Sequence, residues 1–252
     1  MPQELADALL EVTRHLPLDL ALAHLPVYVR IQLFLLVMPV FSERNLPVRV
    51  RVAAAMALTP LFPAAAGVGA PAAFAALIAT EGLIGVLMAM PVRLISLALN
   101  IAASAIASVA SLSQLLGTGT EASPHPIGNM LHYAGIAVLI ALGLPVLMID
   151  MLAASFELFP RGAIPSADTS WPMVGQAAAL SFQLAMTISA PFILGGLLYQ
   201  ALLGTISKVM PALPVVFIGS PAAIMLALLG LMIFSPFILS IWADAVFGVA
   251  QR

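Results

Sequence analysis

The chain alternates long apolar runs with short polar breaks, and this pattern predicts its elements. Residues 20–41 are apolar except at His24, Arg30 and Gln32. A helix rises about 1.5 Å per residue, so this run is long enough to cross roughly 30 Å of hydrocarbon. Arg30 falls inside the run, where a charge costs at least about 2.5 kcal/mol. We therefore expect Arg30 to face protein, a polar partner or water.

Two shorter stretches flank this first run. Residues 2–20 place charged side chains among leucines at helical spacing, which fits either a short interfacial helix or a partly ordered tail. Residues 52–66 are rich in alanine but contain Pro60 and Pro63. A half-span or a tightly packed hairpin arm is expected there, because two prolines interrupt so short a helix.

The next part of the chain contains two apolar runs with a boundary at Arg93. Residues 72–90 are apolar save for Glu81, and two glycines in the following turn permit close helix approach. Residues 94–116 carry no charge and have small or polar side chains on nearly every face. Dense helix packing explains such a surface, and a water-lined path is the alternative.

Polar segments separate the next apolar runs of the chain. Residues 112–128 form the longest polar loop within the apolar body, and their glycines and prolines oppose regular structure. Residues 129–159 form another long apolar run, and a loop is expected over 160–172. Residues 173–203 span about 45 Å as a helix, which exceeds one bilayer core. This segment must tilt, kink at Pro191 or extend beyond the membrane.

A single break interrupts the C-terminal part. Between Asp168 and Asp244 the only formally charged residue is Lys208. Considered alone, Lys208 fits a snorkelling side chain at a helix end. Prolines lack a backbone N–H and disfavour helix in the preceding residue, so a long helix should stop here, before the last apolar run at 222–242. The residues that make up this helix-break motif are Lys208, Pro211, Pro214, Gly219 and Pro221.

Composition places the chain in a membrane. Hydrophobic residues make up 62% of 252 and charged residues 8%, and the mean hydropathy is +1.12. Soluble domains are about half apolar and a quarter charged. We expect an all-α integral membrane protein with long, tilted helices and helical hairpins, broken by its 20 prolines and 17 glycines. Because no repeat of fixed period is visible, residues 1–252 are interpreted as one domain.

Several chemistries are not expected. The chain has no cysteine, so disulfides, thiolate catalysis and cysteine-ligated metals are excluded. Its four histidines lack metal-ligand spacing, its serines lack a local activating base, and no phosphate-binding glycine loop follows a strand. We expect no enzymatic activity and no cofactor. The net charge of −2 without a basic tail makes nucleic acid an unexpected partner. The acidic N-terminus lacks the basic region of a cleaved signal peptide, so the first apolar run should be retained.

Four charges lie within the apolar segments: Arg30, Glu81, Arg93 and Asp150. Intramembrane carboxylates often act as proton relays or ion sites, and Glu81 and Asp150 are candidates for that role. The alternative for Glu81 is an interhelical hydrogen bond or a salt bridge to Arg30 or Arg93. The sequence leaves both possibilities open.

Three stretches, in chain order, resemble the FliR family of flagellar export-gate membrane proteins and its virulence-secretion relatives. The first has an arginine about ten residues before Pro-x-Phe and then Pro-x-Arg-x-basic, here Arg30 to Arg51. The second is a carboxylate followed by glycine, here Glu81-Gly82. The third departs from the family at Ala212, where glutamine is usual, and at Pro214, where a polar residue is common. Its matching residues are Gly204, Ser207-Lys208, Met210-Pro211, Leu213, Val216-Phe217, Gly219 and Pro221.

The resemblance implies a non-enzymatic subunit of the bacterial inner membrane at the flagellar basal body, with its helices packed in a multi-subunit gate. It implies assembly with FliP and FliQ into a helical, channel-forming core, with FlhB and FlhA nearby and unfolded flagellar proteins as cargo. The injectisome counterpart is an alternative within the family. A proton-coupled secondary transporter using Glu81 and Asp150 is the alternative from another class, although no duplicated half is detectable.

The resemblance also implies a plug for the export channel. FliR-like proteins place an apolar cluster and an Asp-Pro loop at the corresponding position, and here Gly117-Thr118 replaces Asp-Pro. We expect the leucines to form an apolar seal and the glycines to let it rearrange, while an ordinary surface loop is the competing interpretation. The residues of this predicted plug are Leu112, Leu115, Leu116, Gly117 and Gly119.

Overall fold

The computed structural model describes residues 18–43, 46–63, 71–111, 126–210 and 215–251. This part of the chain is helical and contains no strand, which confirms the predicted all-α class. Its α-helices are α1 (Leu18–Val37), α2 (Val48–Leu58), α3 (Pro71–Ser111), α4 (Pro126–Ala141), α5 (Leu144–Leu158), α6 (Ala167–Val209) and α7 (Val215–Ala250), and a short 3-10 turn, Thr59–Leu61, follows α2.

The first two helices form a hairpin. Helix α1 passes through Pro26 and ends just before Pro39, where a proline cannot continue the helical hydrogen bonds. Helix α2 starts after Pro47, whose φ of −58° suits a helix start, and packs against α1. With 11 residues α2 is about 16 Å long, too short to cross hydrocarbon. The hairpin-arm interpretation of this stretch therefore agrees with the structure.

The boundary expected at Arg93 is wrong. Helix α3 runs without interruption for 41 residues and contains both Pro91 and Arg93. A proline removes one helical hydrogen bond, but the residues around it, such as Val92 and Ile95, are fully buried, and their packing supports the helix. An internal charge does not break a helix. At about 60 Å, α3 exceeds the roughly 30 Å hydrocarbon core, so it must tilt or extend beyond it.

The apolar run 129–159 is divided into two helices. Helices α4 and α5 meet at an angle of 66°. Gly143, between them, has a φ of +91°, a left-handed conformation that favours glycine. Pro145 lies in the first turn of α5, where its missing N–H leaves no helical bond unmade. The loop predicted at 160–172 is shorter than expected, because α6 already begins at Ala167.

The last two helices form a long hairpin. Helix α6 has 43 residues and ends at Val209, before Pro211, and α7 begins at Val215. The helix break predicted after Lys208 is therefore observed. Its C-terminal limit was placed too late, since Gly219 and Pro221 lie inside α7. Gly219 remains tied to α6, because the Tyr199 hydroxyl donates a 2.7 Å hydrogen bond to its carbonyl.

Helices α3, α6 and α7 are long and apolar enough to cross a membrane, and the bent α4–α5 pair makes a fourth candidate span. The described residues cluster into two compact units. One contains those up to Met90 together with Val146–Val174, and the other contains those within Pro91–Pro145 and Gly175–Arg252. Helix α3 and helix α6 each contribute residues to both units.

Candidate functional site: the buried Arg30 network

Arg30 lies on α1 and has no solvent-exposed surface. Its Nε donates a 2.6 Å hydrogen bond to Oε2 of Glu81 on α3, and Glu81 is also fully buried. Of the two arginines considered as partners for Glu81, the structure therefore pairs it with Arg30. The expectation that Arg30 faces a polar partner is confirmed.

The rest of the Arg30 guanidinium binds the C-terminal end of α5. Nη1 donates to the Ser155 carbonyl at 2.9 Å, and Nη2 donates to the Phe159 carbonyl at 3.0 Å. The Ser155 carbonyl also accepts a 3.1 Å hydrogen bond from the Phe159 N–H, so it is shared between the backbone and Arg30. Carbonyls at the end of a helix carry the negative end of its dipole, so a cation stabilises them. Arg30 thus caps α5 from a neighbouring helix.

An aromatic pair lies against the same guanidinium. The Cζ of Arg30 is 4.2 Å from the centroid of the Phe156 ring, a cation–π distance. Phe156 in turn stacks on Phe62 with centroids 4.9 Å apart. The flat face of the guanidinium, which cannot donate hydrogen bonds, is therefore covered by an aromatic ring.

The second oxygen of Glu81 reaches the turn after α5. Oε1 accepts a 3.1 Å hydrogen bond from the backbone N–H of Gly162. Gly162 has a φ of +72°, so this turn requires the left-handed conformation that glycine adopts most easily. Both carboxylate oxygens accept hydrogen bonds, as expected for an ionised carboxylate. The Arg30–Glu81 pair consequently connects α1, α3, α5 and the turn that follows α5.

Close contact between α1 and α3 depends on Gly85. This glycine lies one helical turn after Glu81, and a Cβ at its position would overlap the backbone carbonyl of Arg30. Backbone atoms cannot move aside as a side-chain tip can, so only glycine fits here without shifting a helix. The Glu81-Gly82-x-x-Gly85 sequence places the ionic partner and this close approach on adjacent turns.

The profile of the family "Bacterial export proteins, family 1" matches residues 21–248. The chain belongs to this family. It is similar to the "Flagellar biosynthetic protein FliR" of Caulobacter vibrioides, with 27% identity over 228 residues, covering 86% of this chain and 90% of that protein. The resemblance inferred from the three stretches is confirmed, and the Arg30 network of this export protein lies within the matched region.

The sequence suggested Glu81 and Asp150 as a pair of relay carboxylates, but the structure does not bring Asp150 into the Arg30 network. Asp150 lies on an exposed face of α5, whereas Glu81 is buried, so the two proposed relay carboxylates occupy different environments. Arg93 is partly buried on α3. Within the part of the chain that the structure describes, no group of three or more His, Asp or Glu side chains is placed to hold a metal ion.

The helix-break motif is described only in part. Lys208 lies exposed in the last turn of α6, Gly219 is buried, and Pro221 is exposed on α7. Pro211 and Pro214 fall outside the described residues. The whole predicted plug also lies outside them, so its role as a seal stays a prediction: Leu112, Leu115, Leu116, Gly117 and Gly119.

The small-residue stretch of α3 packs closely over its described side chains. Ala98, Ala102 and Ala103 are buried, and polar side chains contact this region. Trp242 Nε1 donates to the Ile95 carbonyl at 3.2 Å, and Ser181 Oγ donates to the Leu94 carbonyl at 2.6 Å. These contacts support dense packing as the reason for the small side chains.

The carbonyl acceptors of the network and its aromatic cover are not marked by any pattern that predicts them in the sequence. The acceptors at Ser155 and Phe159 are backbone atoms, which every residue carries, so no side-chain pattern marks them. Phe156 resembles any apolar residue of a membrane helix. One signal was present, since Pro160 and Gly162 mark a turn at the end of α5.

Proposed function

We propose that this protein is the FliR-type subunit of a flagellar type III protein export gate in the bacterial inner membrane, at the flagellar basal body. The observation that supports this most strongly is the family match over residues 21–248, together with a FliR relative of which 90% is covered. The long, apolar helices suit a membrane-embedded export component. Its role is structural, and it forms part of the channel.

The proposed partners are FliP and FliQ, with which the protein builds the channel-forming core. FlhB and FlhA lie nearby, and unfolded flagellar proteins pass through. The surface of the C-terminal hairpin supports a role in an assembly, because only 33% of the apolar window of α6 and 11% of that of α7 is buried within the chain. Surfaces of this kind need lipid or partner subunits around them.

Assembly can be tested by co-expression. The tagged chain is produced with the FliP and FliQ of its own genome, solubilised in mild detergent and analysed by native mass spectrometry. We expect one stable complex of all three proteins, and we expect the chain expressed alone to be unstable in detergent. A stable monomer that binds neither FliP nor FliQ would contradict the proposal.

The injectisome counterpart is distinguished by a second measurement. Deleting the gene should abolish swimming motility, and a plasmid copy should restore it. Motility that survives the deletion, combined with loss of secretion into host cells, would assign the protein to an injectisome. The similarity to a flagellar FliR protein favours the flagellar interpretation.

A further inference from the structure

A partly open, apolar cavity of about 190 Å³ lies between α6 and α7. Its walls come from residues 191–200 of α6 and 223–234 of α7, and Ile106 of α3 lies against them. All of these residues belong to the same compact unit. The family match and the role of the Arg30 network leave this cavity unexplained.

Glycines and an aromatic pair shape the cavity. A Cβ at Gly195 would meet no atom within 4 Å, so this glycine leaves space. A Cβ at Gly230 would lie 3.1 Å from the ring of Phe192. Phe192 packs edge-to-face against Phe234, with centroids 6.2 Å apart. The ring pair therefore supports one wall while the glycines keep the interior open.

The lining favours an apolar occupant. None of the described residues that line the cavity is charged, and the Tyr199 hydroxyl is already engaged with the Gly219 carbonyl. A water molecule needs two to four polar partners, and an apolar cavity of about 150 Å³ in another protein stays dry and binds benzene. A hydrocarbon ligand fits these conditions better than water or a polar metabolite.

The cavity opens on a surface suited to lipid tails. Two of its lining residues, Leu226 and Phe234, are 52% and 44% exposed, so they also form part of the outer face of the hairpin. Contacts between membrane helices favour small residues, whereas lipid tails are matched by large aliphatic ones. Exposed side chains close in sequence to the lining residues on α6 and α7 are also large: Leu194, Leu197, Leu198, Met225, Leu229 and Ile233.

We propose that this cavity binds the terminal segment of one acyl chain of a membrane phospholipid, because a volume only slightly above that of a benzene-binding cavity holds a short hydrocarbon segment. Gln200 lines the end of the cavity nearest the α6–α7 turn, and Lys208 follows it by about 12 Å along the helix. The methyl end of the chain lies towards Phe192 and Phe234, while the rest of the chain and the headgroup remain outside the cavity. This proposal depends on membrane insertion of the hairpin and not on the proposed export partners.

Photocrosslinking tests the site in lipid nanodiscs. The probe is a phosphatidylcholine with a diazirine on one acyl chain, and crosslinked peptides are mapped by mass spectrometry. We expect labelling within 191–200 and 223–234. Gly195→Leu fills the cavity and should lower this labelling at least fivefold. Gly175→Leu is the matched control on α6, since a Cβ there also meets nothing within 4 Å.

A second variant and a stability measurement control for misfolding. Ala227→Leu fills the cavity from α7, and the melting temperature of each variant is measured beside its labelling. Equal labelling of wild type and both filled variants would overturn the proposal. So would labelling of the isolated chain that disappears in the complex with FliP and FliQ, because a partner side chain would then occupy the cavity. Failure of that complex to form would count against the proposed function and leave the lipid result interpretable.

Discussion

At the scale of single residues, Arg30 shows how a buried charge is held in this protein. Removing a guanidinium and a carboxylate from water costs several kcal/mol per ion, and their attraction offsets this only when the remaining donors are satisfied. Here Nε, Nη1 and Nη2 each have an acceptor, and an aromatic ring covers one face. Lysine is a poor substitute, because a single ammonium cannot reproduce this planar, directional set.

A double-mutant cycle measures the coupling of the pair. Arg30→Met leaves Glu81 buried without its counter-ion, and we expect destabilisation of about 3–5 kcal/mol. Adding Glu81→Gln should recover part of this loss, because the uncompensated charge disappears. The measurement is the thermal unfolding of the purified protein in detergent. Arg49→Met, at an exposed position on α2, is the control and should change little.

Strictly additive effects in this cycle would mean that Arg30 and Glu81 are not energetically coupled. The two side chains would then stabilise the protein through packing and not by compensating each other's charge. The hydrogen bonds to Ser155 and Phe159 would have to account for the whole effect of Arg30→Met.

Glu81 is expected to serve charge pairing and not proton transport. Glu81→Gln keeps the shape and an acceptor for Gly162, so complexes that do assemble should export at close to the wild-type rate. Fewer complexes are expected, since Arg30 loses its counter-ion. Secretion is measured per assembled complex. Full assembly without export would favour the proton-coupled transporter.

A separate prediction concerns the packing of α1 against α3 at Gly85. Gly85→Ala should destabilise the protein by about 1–3 kcal/mol, because the added methyl group overlaps the Arg30 carbonyl and forces α1 and α3 apart. Gly175→Ala is the matched control, with no atom within 4 Å of its Cβ, and should be neutral or slightly stabilising. Equal melting temperatures for the two variants would show that the helices can separate without cost.

At the scale of elements, prolines punctuate this chain in two ways. Pro91 and Pro191 lie inside uninterrupted helices, while the two prolines after Met210 coincide with the gap between α6 and α7. A single proline costs one hydrogen bond, which packing around the helix can offset. Two prolines within four residues remove two donors and restrict two preceding residues, so the helix ends.

The turn after α6 is expected to matter for assembly. Lys208→Ala and Pro211→Leu should each impair export or assembly more than Leu228→Ala, a truncation at an exposed position of α7. The physical reason is that the first two change the charge and the backbone of the turn, whereas the third removes only outward apolar surface. Swimming motility and co-purification with FliP are scored together. Near-wild-type behaviour of both turn variants would leave Lys208 as a snorkelling side chain only.

At the scale of the whole molecule, the main features are the length of the helices and the exposure of their apolar side chains. Helices α3 and α6 have 41 and 43 residues, about 60 Å each, which is twice the hydrocarbon thickness. Large apolar side chains remain exposed along α6 and α7. Exposed apolar surfaces of this kind need lipid or partner protein around them.

The predicted closure of the channel belongs to this scale. Deleting residues 113–119 should make cells leaky to small ions while the complex still assembles, because a narrow constriction lined by leucine excludes water and ions. Uptake of a small dye or ion efflux is measured beside native gel analysis. A matched deletion of equal length in the predicted N-terminal tail, residues 3–9, controls for shortening the chain. An assembled complex with unchanged permeability would return this stretch to an ordinary loop.

The membrane class, the helical content, the break after Lys208 and the family could be predicted from the sequence, because they follow from apolar run lengths, composition and short motifs, which are local properties of the chain. The folded arrangement was needed to show that Glu81 pairs with Arg30, that the guanidinium caps α5, and that α3 continues through Arg93. The partners of Arg30 lie 51 to 129 residues away and two of them are backbone carbonyls, so their meeting depends on how the helices pack.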